Sequence, residues 1–290
     1  MNVLITGGNG FLGSALAEKF VKLDYNVSLM VRQKSNLSRL QNQIDKYNIF
    51  IYTNETDLKK ILISSNPDII IHTACNYGRK NESLQEIFDA NYRIGLLILN
   101  EIILLEKNIV FLNIGTILPS DNSLYSFSKN QFSDLGKFTS NIFKKINFKN
   151  ILLQHMYGPG DDESKFTSYV INACLRNVQE VDLTNGEQLR DFIYIKDVSD
   201  AIAMICKNIS FINVVDIEIG SGALISIKEF VSKLHEMTNS TSILNFGAIK
   251  YSSKQIDIPP SNLHILNSLN WKPKYSLEMG LEETIKMETK

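Results

Sequence analysis

The chain is poor in the features that would tie it to an oxidising compartment, a metal ion, a nucleic acid or a membrane. Cysteine occurs only three times in 290 residues, at Cys75, Cys174 and Cys206. An odd, widely spaced set builds no disulfide framework and matches no zinc spacing, so no metal is expected. Apolar neighbours suit three reduced core thiols. Neither sign of charge prevails: 30 Lys and Arg against 31 Asp and Glu leave a formal net charge of -1. That balance gives no basis for a nucleic-acid or membrane partner. Long hydrophobic runs are missing as well. The most apolar stretch, Gly95 to Leu105, carries Asn100 and Glu101 and is too short to cross a bilayer. Met1-Asn2 leads straight into a strand pattern, with no basic or cleavable apolar segment before it, so a cytoplasmic protein is expected. Internal repeats and low-complexity linkers are also lacking.

What remains is an ordinary globular composition, 44% hydrophobic and 21% charged. The length suffices for one large core or two small ones. In the first half, short apolar runs alternate with longer helical patterns, which signals parallel βαβ units. Val3 to Thr6, Val27 to Val31, Asp68 to His72 and Ile109 to Asn113 read as strands. Their unbroken Val/Ile/Leu content suits burial on both faces. Helices are expected over Ser14 to Leu23, near Leu58 to Ser64, and over Glu86 to Leu105. Past residue 155 the alternation loosens. A turn at Tyr157-Gly158-Pro159-Gly160-Asp161 precedes helical patterns near Phe166 to Arg176, Ile227 to Met237 and Leu277 to Lys286.

Directly after the first apolar run comes Gly7-Gly8-Asn9-Gly10-Phe11-Leu12-Gly13. Between a strand and a helix, Gly7-x-x-Gly10-x-x-Gly13 forms a tight turn and lets the backbone approach a pyrophosphate. Its last glycine seats the helix on the strand, and the helix N-terminus attracts the phosphates. An NAD enzyme usually ends its second strand in Asp or Glu, which bonds the ribose 2′-hydroxyl. Here that strand ends Leu29-Met30-Val31-Arg32-Gln33-Lys34-Ser35, with no carboxylate. Arg32 with Lys34 or Ser35 suits a 2′-phosphate, so NADPH (NADP+) is favoured over NAD(H).

Tyr125 and Lys129 stand four residues apart in Tyr-Ser-Phe-Ser-Lys, a spacing that puts both on one helix face. Such a pair arises often by chance and gains meaning from the glycine turn. A nearby ammonium favours phenolate and would acidify Tyr125, tuning it to donate a proton to a ketone oxygen. Thr116 is the one hydroxyl in the segment from Phe111 to Pro119 and is the candidate to orient that oxygen.

These motifs resemble the extended short-chain dehydrogenase/reductase family of NAD(P)-dependent epimerases, dehydratases and reductases of nucleotide sugars. The likeness includes His72-Thr73-Ala74, Asn91, Tyr125/Lys129, Tyr157-Gly158-Pro159 and Trp271-Lys272-Pro273. Its most specific stretch is Gly186-Glu187-Gln188-x-Arg190-Asp191-Phe192-x-Tyr194-x-x-Asp197. The resemblance implies an α/β fold: a Rossmann-type doubly wound parallel sheet over 1–155, with a segment near 187–215 returning to it. A smaller C-terminal α/β substrate-binding lobe covers 156–290, with a cleft between the two. Implied cofactor contacts are Gly7, Gly10, Phe11, Leu12, Gly13, Arg32, Ser35, Thr73, Ala74, Asn91, Tyr125, Lys129 and His155. Implied substrate contacts are Asn76, Tyr157, Lys165, Phe166, Arg190 and Lys254. The family's usual catalytic Ser/Thr position falls on Ile114, which leaves Thr116 to substitute. A common C-terminal arginine appears as Ser252, with Lys250 or Lys254 as replacements.

Ile114-Gly115-Thr116 carries no carboxylate, which disfavours dehydration, and the missing acid after strand two disfavours a C4 epimerase with tightly bound NAD. The expected activity is NADPH-dependent reduction of the C4 ketone of a nucleotide-activated 4-keto-6-deoxy sugar in O-antigen or capsule synthesis. A C4 epimerase and a cofactor-sensing protein on the same fold are the alternatives. The partners expected are a nucleotide-sugar substrate and a second copy of the chain, since family members commonly dimerise through helices like those of 86–105 and 126–142.

Overall fold

The computed structural model describes residues 1–251 and 257–289. It groups Met1–Leu153 with Ser199–Ile217 in one compact unit, and Gln154–Val198 with Glu218–Lys290 in another. The chain begins with β1 (Asn2–Thr6), α1 (Phe11–Lys22), β2 (Asn26–Arg32), β3 (Tyr47–Tyr52), α2 (Glu55–Ser65) and β4 (Ile69–His72). It continues through α3 (Leu84–Phe88), α4 (Ile94–Leu104), β5 (Ile109–Ile114), α5 (Leu124–Ile142) and β6 (Ile146–Leu153). Next come β7 (His155–Tyr157), α6 (Phe166–Leu175), β8 (Glu180–Leu183), β9 (Leu189–Arg190), β10 (Phe192–Tyr194) and α7 (Ile195–Lys207). The last elements are β11 (Asp216–Ile219), β12 (Ile225–Ser226), α8 (Ile227–Met237), β13 (Ile243–Phe246), α9 (His264–Ser268) and α10 (Leu277–Glu288).

A seven-stranded sheet in the order β11-β6-β5-β4-β1-β2-β3 organises the first unit, a Rossmann-type parallel arrangement. Strand order reverses between β1 and β4, and there Thr6 of β1 pairs with His72 of β4. The loops leaving these two strands therefore open into one crevice, the usual ligand position in such sheets. Val3, Leu4, Ile5, Ile69, Ile70 and Ile71 are all fully buried, as strands covered on both faces require. Phe111, Phe132 and Phe148 form an aromatic layer between sheet and helices, with ring centroids 5.6 to 6.3 Å apart. Helices approach it closely because a Cβ on Gly95 or Gly136 would stand 2.3 or 2.1 Å from a ring carbon.

β6 is buried despite its polar residues. Lys149 donates to the carbonyls of Ile212 and Val214 at 2.6 and 2.8 Å, and Asn150 donates to Asp216 at 2.8 Å. These bonds attach the late segment to the first unit. The sequence reading drew that segment near 187–215, whereas the compact unit takes Ser199–Ile217. Residues 189–194 pair elsewhere: Phe192 with His155 in parallel, and Arg190 with Ile225 in antiparallel.

The second unit holds three two-stranded ladders, β10-β7, β12-β9 and β13-β8. Its core stacks Phe192 on Phe230 at 4.3 Å beside Tyr157 and Tyr194. Buried Asp191 accepts backbone N–H bonds from Ser221, Gly222 and Ser261 at 2.7 to 3.0 Å. Asp197 accepts from Lys274 and Tyr275 at 3.0 Å. The two aspartates of the most specific sequence stretch thus staple loops, which buried carboxylates do well when every bond is charge-assisted.

Candidate active site

The glycine turn forms the floor of the crevice. Gly7 adopts φ +65, a left-handed conformation that costs glycine nothing. Its N–H donates to Met30 O at 3.0 Å and its carbonyl accepts from Gly10 N at 2.9 Å. A Cβ on Gly13 would lie 2.2 Å from that same carbonyl oxygen, so α1 packs where only glycine fits. The Thr73 hydroxyl donates to Thr6 O at 2.6 Å, holding Thr73 and Ala74 beside the turn. Gly10 caps α1 without a side-chain bond, and the first turn carries no acidic residue. The positive helix end, with no acidic side chain beside it, suits an anionic pyrophosphate. Phe11 opens the helix half-buried, while Leu12 points into the core.

Beyond β2 the chain turns at Arg32, whose carbonyl accepts from Ser35 N at 2.9 Å. A cleft of about 540 Å³ opens here, lined by Asn9, Arg32, Lys34, Ser35, Asn36 and Tyr52 among others. No carboxylate lines it. Cations and hydroxyls without an acid fit a ribose phosphate better than a ribose diol.

Tyr125 and Lys129 enter on α5, whose start is set by a reciprocal Ser123–Ser126 cap. The Asn130 side chain donates to Leu118 O at 2.9 Å, drawing the segment after β5 toward the helix. The Thr116 hydroxyl accepts from Leu118 N at 3.2 Å and lies near enough to the Tyr125 hydroxyl to favour its ionised form. Thr116 therefore reaches the phenol from two residues beyond the strand end, while Ile114 completes β5 as a buried apolar residue. Lys129 is 1% exposed. Ser133 anchors the same helix, 3.0 Å from Lys129 O and 2.9 Å from Asn150 Oδ1.

The electrostatics correct one expectation. The sequence predicts a phenol acidified by Lys129. Instead desolvation holds the Tyr125 phenol above its ordinary range, with the neighbouring Cys75 acting in the same direction. Arg79 and the Thr116 hydroxyl pull it back down. Desolvation also lowers Lys129, partly opposed by Cys75. Enclosing both groups favours their neutral forms. His72, fully buried and bonded through Nδ1 to the Thr6 hydroxyl at 2.8 Å, is pushed down to about 3 by burial and then by Lys129. It is a neutral strand-end residue.

Asn91, expected to meet the cofactor, is fully buried and engaged by protein. It accepts from Asn76 N at 2.7 Å and donates to Asn76 O and the Ser128 hydroxyl at 2.9 Å. The one-turn π segment Asp89–Arg93 turns it inward. Its part is to brace the loop after β4 against α5. Tyr157, expected at the substrate, is also a core residue: 1% exposed, its hydroxyl donates to Leu277 O at 3.2 Å. Apolar packing outcompetes a ligand role there.

Elsewhere in the second unit, His155 opens β7 with its ring 6.0 Å from Phe192. Lys165 pairs with Asp161 at 2.9 Å, and Phe166 begins α6 with 38% exposure. Arg190 donates to Leu189 O at 2.7 Å. Lys254 and Ser252 lie outside the described residues. Sequence reasoning took Cys75 for a core thiol, whereas it is exposed, and passed over Tyr77 and Arg79; all three follow β4 and lie near Tyr125, and no spacing rule marks a loop that reaches its target only through the fold. Among the described residues, no cluster of His, Cys, Asp or Glu could hold a metal ion, and no helix is long and apolar enough to cross a membrane.

Comparison with known proteins agrees with this geometry. The model of the NAD dependent epimerase/dehydratase family matches residues 3–220. CDP-abequose synthase of Salmonella typhimurium is 34% identical, covering 98% of this chain and 97% of its own. The protein of the same name from Salmonella muenchen is 29% identical over the same shares. Among solved structures, UDP-glucose 4-epimerase of Thermotoga maritima superposes with a TM-score of 0.84 at 20% identity, covering 100% of this chain and 99% of that one. A glycine cradle at the strand-order reversal, a Tyr/Lys pair beside it and a full-length likeness lead to one conclusion: this chain belongs to the NAD dependent epimerase/dehydratase family and is an oxidoreductase of short-chain dehydrogenase/reductase type.

Proposed function

We propose that the protein reduces the C4 ketone of a nucleotide-activated 4-keto-6-deoxy sugar with NADPH, in the synthesis of a surface polysaccharide. The observation that carries this reading is the Tyr125–Thr116 hydroxyl pair at the end of β5, with no carboxylate in the adjoining segment 114–118. Two neighbouring hydroxyls suit a single ketone oxygen, whereas dehydration would require an acid and a base there. The name of the Salmonella relatives, CDP-abequose synthase, supports a CDP-linked deoxy sugar.

The cofactor, when bound, supplies the hydride. Arg32, Lys34 and Ser35 would hold its 2′-phosphate, and the N–H groups opening α1 its pyrophosphate. Tyr125 gives its proton to the ketone oxygen as negative charge develops there. Thr116 donates to the same oxygen and orients it. Raised above its usual range, Tyr125 stays protonated at neutral pH, as reduction requires. Lys129, one helical turn further on, would hold the nicotinamide ribose. Asn76, Phe166, Arg190 and Lys254 stay the proposed substrate contacts. Leu104, Phe138 and Ile142 leave apolar surface on α4 and α5, at 74, 63 and 56% exposure, and we assign this surface to a homodimer.

Purified protein with NADPH and CDP-, dTDP- or GDP-linked 4-keto-6-deoxy sugars should consume reduced nicotinamide with at least one donor. NADH should serve markedly less well. No consumption with any donor, together with NAD released on denaturing the protein, would replace the reductase by an epimerase.

A further inference from the structure

Tyr77 and Arg79 belong to no motif described above, and neither fills the core. Their loop is nonetheless held firmly. Asn91 bonds both backbone groups of Asn76, and the Asn76 side chain accepts from Gly78 N at 2.9 Å. Gly78, at φ +66, turns the chain between the two residues. The Tyr77 ring lies 4.8 Å from that of Tyr125, with planes inclined by 31°. That separation lies within the range of interacting aromatic pairs. The Arg79 guanidinium stands 5.2 Å from the centroid of Tyr77, within cation–π range.

We propose that Tyr77 and Arg79 are positioning residues for Tyr125: one ring fixes the orientation of the acid, and a guanidinium set on that ring supplies a positive charge beside it. The groups facing Tyr125 make this division clear. Lys129, on its own helix, is the cation burial drives toward neutrality. Arg79, in the exposed loop, places a guanidinium on the Tyr77 ring and acts to favour phenolate at Tyr125. Thr116 acts in the same direction from the segment after β5, and Cys75 of the loop opposes both. The proposal rests on the reductase reading for its kinetic test, but its geometry is independent of that reading.

The stack is tested first without turnover, by 19F NMR of protein carrying 3-fluorotyrosine. The Tyr125 resonance is identified by its loss in Tyr125→Phe. It should move in Tyr77→Leu, stay near its place in Tyr77→Phe, which keeps the ring, and move less in Arg79→Met. An unmoved resonance in Tyr77→Leu overturns the stack. The second test follows product oxidation, which needs the phenolate. Its apparent pKa should rise by roughly half a unit or more in Arg79→Met and return in Arg79→Lys, since removing a nearby cation disfavours the anion. An unchanged profile with an active parent overturns the charge role. A parent enzyme that turns over no substrate ends the reductase reading alone and leaves the resonance to decide the stack.

Discussion

Tyr125 and Tyr157 show what separates a working phenol from a structural one. Both read as ligand-facing tyrosines, and desolvation raises both phenols. Tyr157 donates to the carbonyl of Leu277 within a core of Tyr194 and Phe230, whose rings lie 5.6 and 6.2 Å away. That bond has no substitute, because no other molecule can enter. Tyr125 keeps partial exposure and has another hydroxyl, Thr116, and the Arg79 guanidinium near it. A hydroxyl both donates and accepts, so it can bond an incoming oxygen. Burial is common to the two sites; exchangeability belongs to one.

The largest expected effect is at Tyr125. Tyr125→Phe should lower NADPH-dependent turnover by roughly 10²- to 10⁴-fold, the usual worth of a positioned proton donor, with thermal stability and cofactor affinity near the parent's. The converse Tyr157→Phe should leave kcat near the parent's and lower stability by about 1 kcal/mol for the lost hydrogen bond. A large fall in turnover from the second change, with stability intact, would erase the distinction.

Gly280→Ala probes the closeness of the second site, since its Cβ would lie 2.1 Å from the Tyr157 hydroxyl. Denaturant unfolding should show a loss of about 1–3 kcal/mol from overpacking. Adding Tyr157→Phe should recover only part of it, because ring carbon Cζ remains at 2.9 Å. Full stability in Gly280→Ala would mean the core has more room than described. Thr116→Val should be the smallest change: about a tenfold fall in kcat, consistent with loss of one orienting hydrogen bond, with little change in melting temperature.

Much of the first unit was legible because its information is local. Val3 to Thr6, Val27 to Val31 and Asp68 to His72 are continuous apolar runs, and each is a strand within a residue or two. Two strands of the same sheet escape that criterion. β3 mixes Tyr47 and Asn48 into an edge position, and β6 carries Lys149 and Asn150 inside. The polar groups of β6 are tolerated because Ile212, Val214 and Asp216 supply partners more than 60 residues away. The helical reading of Glu86 to Leu105 contains α3, a π turn and α4, and the turn is what aims Asn91 at the loop after β4.

Local chain chemistry by itself determined the glycine cradle, the unacidic end of β2 and the shared face of Tyr125 and Lys129. A turn, a strand end and a helical period each reach only a few residues. Only the tertiary structure decided which tyrosine is enclosed in apolar packing, which asparagine braces a loop, and which cation the loop after β4 brings near the phenol. Desolvation and hydrogen-bond pairing depend on neighbours distant in sequence, and those neighbours meet only once the sheet has formed.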